Sequence, residues 1–230
     1  MNLVLFEWKL IVRSKRLKQQ LIMSAIIFPL IVYLQLMGMS REVFLLKMFF
    51  LWIMFALPAN FATFSFGANA AFMDKLLIAP AGSIFKILQA KYRLYYILSI
   101  VFFVMFLPSM FLGIKLIELI AAFLFAVGLM FFSLFLISLL SHKPFDIKAS
   151  TTSFNYQEMD VGNMLMPMLV MSLAFGIVAL FHWLFNETIT LVAMSLIGTV
   201  FIATHKIWLK KISKSFEKTK YRRLERFREK

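Results

Sequence analysis

The sequence predicts an all-α, polytopic membrane protein with about six transmembrane helices and an N-terminal amphipathic helix at the interface. Three observations lead there. The 230 residues are 62% apolar and 16% charged, with 28 Phe and 16 Met against 11 acidic side chains, whereas a soluble domain is about half apolar and a quarter charged. Too little polar surface remains to cover a water-facing globule, so lipid is part of the solvent. Long apolar runs recur from residue 20 to about residue 206, each near the roughly 20 residues that a helix needs to cross hydrocarbon. The basic residues, finally, divide unequally between the two sides that those runs define. Unpaired backbone is not tolerated in lipid, which leaves helices or a closed barrel, and continuous apolar runs without period-2 alternation select helices.

The expected spans are 20–38, 43–67, 94–112, 116–140, 164–185 and 188–206. Pro29, Pro58, Pro108 and Pro167 fall within or at the edge of them and mark expected kinks. The first run lies behind nineteen residues, is of span length and is followed by no small-residue cleavage pattern, so it reads as a retained span. Cysteine is absent, which excludes disulfides and thiolate metal sites.

Orientation follows from Lys and Arg, which are retained on the cytoplasmic side. The N-terminus, the segments 68–93 and 141–163, and the chain from Lys206 onward hold 22 of the 25 basic residues. The opposite side holds only Arg41, Lys47 and Lys115, balanced by three carboxylates, so the whole net charge of +14 lies on one face. Both termini are therefore expected in the cytoplasm. The outer loops, around Ser40, Gly113 and Asn186, are too short to hold a capture domain.

Residues 1–19 wind into a basic amphipathic helix, with Asn2, Lys9, Arg13, Arg16 and Gln20 on one stripe. Leu3, Phe6, Trp8, Leu10 and Leu17 occupy much of the rest. The expected organisation is a transmembrane domain over 1–206 and a basic cytoplasmic tail over 207–230. The tail begins as a continuation of the last span, with Trp208, Leu209, Ile212 and Phe216 on one side. Basic clusters against a bilayer bind anionic lipids, and no recognition module for nucleic acid accompanies this one.

The segment 68–93 carries the most specific pattern. A short amphipathic helix around Asp74, Lys75, Leu76 and Leu77 is broken by Ala79-Pro80-Ala81-Gly82-Ser83, and a second helix follows through Lys91. Here the chain resembles the ABC-2-type permeases, the membrane subunits of many bacterial ABC exporters. Their second and third spans are joined by a cytoplasmic coupling helix of pattern acidic-x-Leu-Leu-x-x-Pro, with a Lys where the next helix begins. Asp74, Leu76, Leu77, Pro80 and Lys91 match it. The loop Lys143-Pro144-Phe145-Asp146-Ile147-Lys148, with Asn155 and Gln157 beyond it, looks like the inner loop of an uncharacterised family of ABC-2-like permeases, whose C-terminal part this chain resembles. As a connector alone, the same loop would need its Pro, Asp and Asn only to end one helix and start the next.

The resemblance implies a bacterial inner-membrane permease that works as a dimer, with a second copy or a related permease, and with cytoplasmic ABC ATPase subunits that hold ATP and Mg. The chain itself has no G-x-x-x-x-G-K-[ST] loop, so no cofactor and no enzymatic role is expected within it. The expected activity is export of an amphipathic or lipid-like substrate. Ala56, Asn60, Thr63 and Gly67 in the second span, and Ser172, Gly176 and Ala179 in the fifth, align small or polar side chains at helical spacing. Such faces either pack helices closely or line a route at the dimer interface.

Two rivals come from other classes. A membrane-embedded enzyme needs convergent acids, bases or ligands at bilayer depth, but His142, His182 and His205 all fall near span ends and no H-E-x-x-H helix occurs. A secondary transporter wants a coupling carboxylate at mid-membrane, and none is expected in a span interior, while Lys47 reads as a snorkelling side chain.

Overall fold

A computed structural model describes residues 3–22, 25–26, 29–30, 32–34, 44–56, 58, 82–139 and 161–228, with side chains at all of these except 15–16, 20, 161–168 and 220–228. Among the described residues every regular element is helical. α1 (Leu3–Arg13) and α2 (Lys15–Ile22) precede α3 (Phe44–Ala56) and α4 (Ser83–Phe106). α5 (Leu116–Ser138), α6 (Val161–Leu184), α7 (Glu187–Ala203) and α8 (His205–Arg228) complete the order.

The helix directions alternate. Tyr92 meets Phe131 while Phe103 meets Phe123, so α4 and α5 are antiparallel. Lys47 faces Glu118 and Trp52 stacks on Phe125, which makes α3 parallel to α5. Phe44 lies on His182 and Phe49 on Phe175, so α6 runs against α3. The core has two connected parts. One joins α3, the end of α4, the start of α5, and α6 with α7 around Trp52, Phe55 and Phe125. The other joins α1, the start of α4, the end of α5 and α8 around Tyr92, Phe131, Phe135 and Leu209.

Several turns fall where the sequence places them. Pro108 lacks an N–H, and at Leu107 the helix tightens to a 3₁₀ segment through Leu112, which Gly113 ends at φ 90°. Asn186 caps α7 by accepting from the Ile189 N–H at 2.9 Å. The helix of α6 runs on through Pro167.

Among the described residues, two helices, or three with a bent pair, are of span length, against the six expected. Ser83–Leu112 and Leu116–Ser138 are long and apolar enough to cross a membrane, and α7 with the first part of α8 makes a third if the bent pair counts as one span. Phe44–Ala56 and Leu169–Leu184 are shorter apolar helices, and nine of the nineteen residues of the expected span 20–38 lie outside the described residues. The second helix expected in the segment 68–93 and the third expected span are one continuous helix, α4, from Ser83. The interfacial helix is likewise two helices: Ser14 interrupts it, and the Ser14 hydroxyl accepts from the Leu17 N–H to open α2.

α8 does not continue α7 in a line. The two meet at an angle of 59° around Thr204, so Trp208, Leu209, Ile212 and Phe216 turn into the core and become buried. The cause is local. The Thr204 hydroxyl donates to the Val200 carbonyl at 2.7 Å and the Trp208 indole N–H to the Phe201 carbonyl at 2.9 Å. His205 Nδ1 lies 2.7 Å from the Ile202 carbonyl oxygen. The Phe201 and Ile202 carbonyls at the break thereby have side-chain partners, and the Val200 carbonyl takes the Thr204 hydroxyl in addition to the Thr204 backbone N–H.

α5 and α7 come into close backbone contact. Gly128 and Gly198 face each other so tightly that a Cβ on either would run into the other helix's backbone. Gly128 lies in a π-helical turn, Ala126–Met130, inside α5. At Gly176, by contrast, a Cβ would meet nothing within 4 Å.

Two outcomes follow. Lys115→Cys and Lys210→Cys, both exposed and at opposite ends of the helices, will label from opposite sides of the membrane with an impermeant thiol reagent; labelling of both in intact cells excludes the alternation above as a transmembrane topology. Ser213, one turn from Lys210, is buried and is unsuited as a reporter. Gly198→Leu will lower the thermal midpoint of the detergent-solubilised protein by the equivalent of about 1–3 kcal/mol or more, whereas Gly176→Leu will leave it near wild type, read in one melting series.

Candidate functional site

The described chemistry is concentrated at the end of the molecule where α1, the start of α4, the end of α5 and α8 meet. Leu3, Glu7 and Ile11 recur every four residues on one side of α1, which makes Glu7 an acid within an otherwise apolar stripe. On α4, Ile84, Leu88, Lys91 and Tyr95 line up at helical spacing and are all buried. Packing α1 against α4 brings Glu7 Oε2 to 2.6 Å from Lys91 Nζ, with side chains only 4% and 3% exposed. Two charges withdrawn from water cost several kcal/mol each, and the contact keeps that cost tolerable only while both partners are present.

One residue along, Tyr92 is the hub of an aromatic cluster. Its ring stacks on His205 with centroids 5.0 Å apart and planes 9° from parallel. It meets Trp208 edge-on at 5.5 Å and Phe131 edge-on at 5.9 Å. The Tyr92 hydroxyl is buried and has no hydrogen-bond partner among the described residues. Through this cluster α8 is held against α4 and α5.

A second ion pair lies at the opposite end. Glu118, in the first turn of α5, is 2% exposed; it receives the Lys115 backbone N–H at 2.9 Å and sits 3.7 Å from Lys47 Nζ. One sequence expectation changes as a result. Lys47 does not snorkel alone but pairs across helices with Glu118, which lies at the start of the fourth expected span and not in its interior. His182 stacks on Phe44 at 4.9 Å, and its buried Nδ1 has no partner among the described residues. Among those residues no group of three His, Cys, Asp or Glu is placed to hold a metal ion.

The other expected site residues divide into two sets. Asn60, Thr63, Gly67, Asp74, Lys75, Leu76, Leu77, Pro80, Asp146, Asn155 and Gln157 lie outside the described residues. Ala56 is fully buried in the core at the end of α3, Ser172 and Gly176 are exposed on α6, and Ala179 is half-buried. Within the described chain, then, Ala56 faces inward while Ser172 and Gly176 face outward. Sequence reasoning missed Glu7, Glu118, Gly128 and Gly198. For Glu7 a signal existed, since an acid in register with Leu3 and Ile11 opposes the basic stripe of the same helix.

The chain belongs to the family of unknown function DUF5687, which it matches over residues 2–230. No curated protein and no solved structure matches it.

The buried pair makes a sharp expectation for stability. Glu7→Met or Lys91→Met alone strands the opposite charge and will destabilise the protein by about 3–5 kcal/mol. The double substitution Glu7→Met with Lys91→Met will recover much of that loss. Unfolding of the four detergent-solubilised proteins closes the cycle, and additive single effects would remove the pairing.

Proposed function

We propose that this chain is the membrane-spanning permease subunit of an exporter whose ATP is hydrolysed by a separate cytoplasmic subunit, with a second permease chain completing the assembly. The observation that supports this reading most directly is the buried Glu7–Lys91 pair. It ties the N-terminal amphipathic helix to the start of α4, the helix that follows the Asp74–Ser83 segment in the chain. A push delivered to that segment by an ATPase is passed to α1 and α4 as one body rather than lost between them.

From there the force reaches α5 through the Tyr92 cluster and α8 through His205 and Trp208. Alternating access requires that nucleotide-bound and nucleotide-free partners stabilise different helix arrangements. The π turn of α5 and the break at Thr204 are the places where α5 and α7 depart from regular helix. The outward side chains of the helices, among them Val101, Val104, Phe111, Leu173, Leu196 and Val200, are large, apolar and exposed. They fit lipid as the surrounding solvent and fit an amphipathic or lipid-like substrate class. No nucleotide loop or catalytic constellation is attributed to the chain itself, so ATP and Mg belong to the partner.

A second reading, a secondary transporter, draws on Glu118, a buried carboxylate with a cationic partner. The two readings part experimentally. Under the first, Leu76→Asp with Leu77→Asp will cut copurification of the cytoplasmic ATPase severalfold or uncouple its hydrolysis, because apolar docking residues become charges. Export will persist when the proton gradient is collapsed. Loss of export on collapse of the gradient, with ATP intact and the double variant fully assembled, supports the second reading and ends the first.

A further inference from the structure

Between the start of α4 and the outward side of α8 lies a cleft of about 830 Å³, within the roughly 300–1,000 Å³ of ordinary small-molecule sites. Neither the ion pairs nor the aromatic cluster uses it. Its α8 wall carries Lys206, Lys210 and Lys214, successive at intervals of four and therefore stacked along one stripe. Like charges at that spacing repel, and none of the three forms an ion pair among the described residues. Glu217, at the far end, is the one carboxylate in the lining.

The opposite wall begins at Gly82, the N-cap of α4. Its φ of 84° is one that glycine adopts without strain, and open space lies where a Cβ would sit. The positive end of the α4 dipole is thus presented to the same cleft as the lysine row. Phe85 and Ile207 make the remaining surface apolar, and Ile207 is 60% exposed. The lysine stems add methylene groups to it. The cleft therefore joins an oily wall to a row of unmatched cations, where α8 bends away from the apolar α7.

We propose that this cleft holds one anionic phospholipid, its phosphate between the ammonium groups of Lys206, Lys210 and Lys214 and the start of α4, its glycerol and first methylenes against Phe85 and Ile207. Charge complementarity selects the headgroup: four cations, Lys211 beside the row of three, and a helix N-terminus face a single carboxylate, which disfavours a cationic or zwitterionic occupant. The apolar wall selects a lipid over a free anion. A lipid seated there neutralises the i, i+4 repulsion along α8 and bridges α8 to α4, which stabilises the 59° bend. The site depends on membrane insertion alone, so it stands or falls separately from the exporter reading.

The test uses the full chain in neutral detergent, with phosphatidylglycerol, phosphatidylcholine and inorganic phosphate as probes and native mass spectrometry as the readout. Wild type will retain one phosphatidylglycerol at least about tenfold more strongly than phosphatidylcholine, and millimolar inorganic phosphate will not displace it. The triple variant Lys206→Gln, Lys210→Gln, Lys214→Gln will lose about tenfold or more of that preference. All three positions are exposed, so folding is not at risk, and Glu217→Gln will bind as tightly as wild type or more so. The control Lys9→Gln with Arg13→Gln, exposed on α1, will stay within about twofold. Equal retention of the two lipids, an unaffected triple variant, or an equal loss in the control overturns the proposal. Displacement by inorganic phosphate also overturns it, since the occupant would then be a free anion.

Discussion

Backbone carbonyls that a helix leaves unpaired are costly in an apolar surround, and the architecture is organised around the places where that cost arises. In α3 the Phe55 carbonyl, ahead of Pro58, accepts the Ser99 hydroxyl of α4 at 2.9 Å. Where α4 tightens at Pro108, Ser109 donates to the Phe106 carbonyl, and where α5 ends, Ser138 donates to Phe135. At the sharpest feature, the break before α8, Thr204, His205 and Trp208 serve three successive carbonyls. Serine and threonine in this chain are thus part of the means by which helices stop, bend and lock to one another without water.

The same constraint bears on the close contact between α5 and α7. Without a hydrophobic force between helices in lipid, association depends on van der Waals fit, and glycine permits backbones to approach. Gly128 and Gly198 supply that approach between α5 and α7. The π turn around Gly128 departs from the regular helix ladder at the point of contact. Trp52, Phe125 and Phe131 fill the volume on the remaining sides, so the narrow contact and the bulky core lie in adjoining layers.

What could be read in the sequence was what is encoded locally. Continuous apolar runs gave the helical class, Pro108 gave a change of helix, Asn186 and Gly113 fell in turns, and the apolar side of the tail was visible in Trp208, Leu209, Ile212 and Phe216. Pairings across long separations left no local trace. Glu7 and Lys91 are 84 residues apart, and nothing near Lys47 announces that Glu118 will neutralise it. Gly176 and Gly198 look alike in sequence, each a small residue in an apolar helix, yet one faces open space and the other a backbone.

The buried Glu7–Lys91 pair is poorly explained as a source of stability, since apolar residues of similar volume in its place would be as good or better. Its geometry fits a different role. α1 is short, and its apolar side alone would let it slide or rotate on α4 at little cost, because one hydrophobic contact resembles the next. A charge within that apolar stripe has a single acceptable position, the one where its counter-charge lies. Every displaced register buries two unpaired ions, and the penalty for each is several kcal/mol. The pair therefore fixes how α1 sits on α4 by making the alternatives expensive. Lys91 in turn lies beside Tyr92 in the chain, so the helix that Glu7 positions is the one whose next residue holds His205 and Trp208 in place. Register set at the N-terminal helix is in this way carried, through two neighbouring residues of α4, to the bend between α7 and α8.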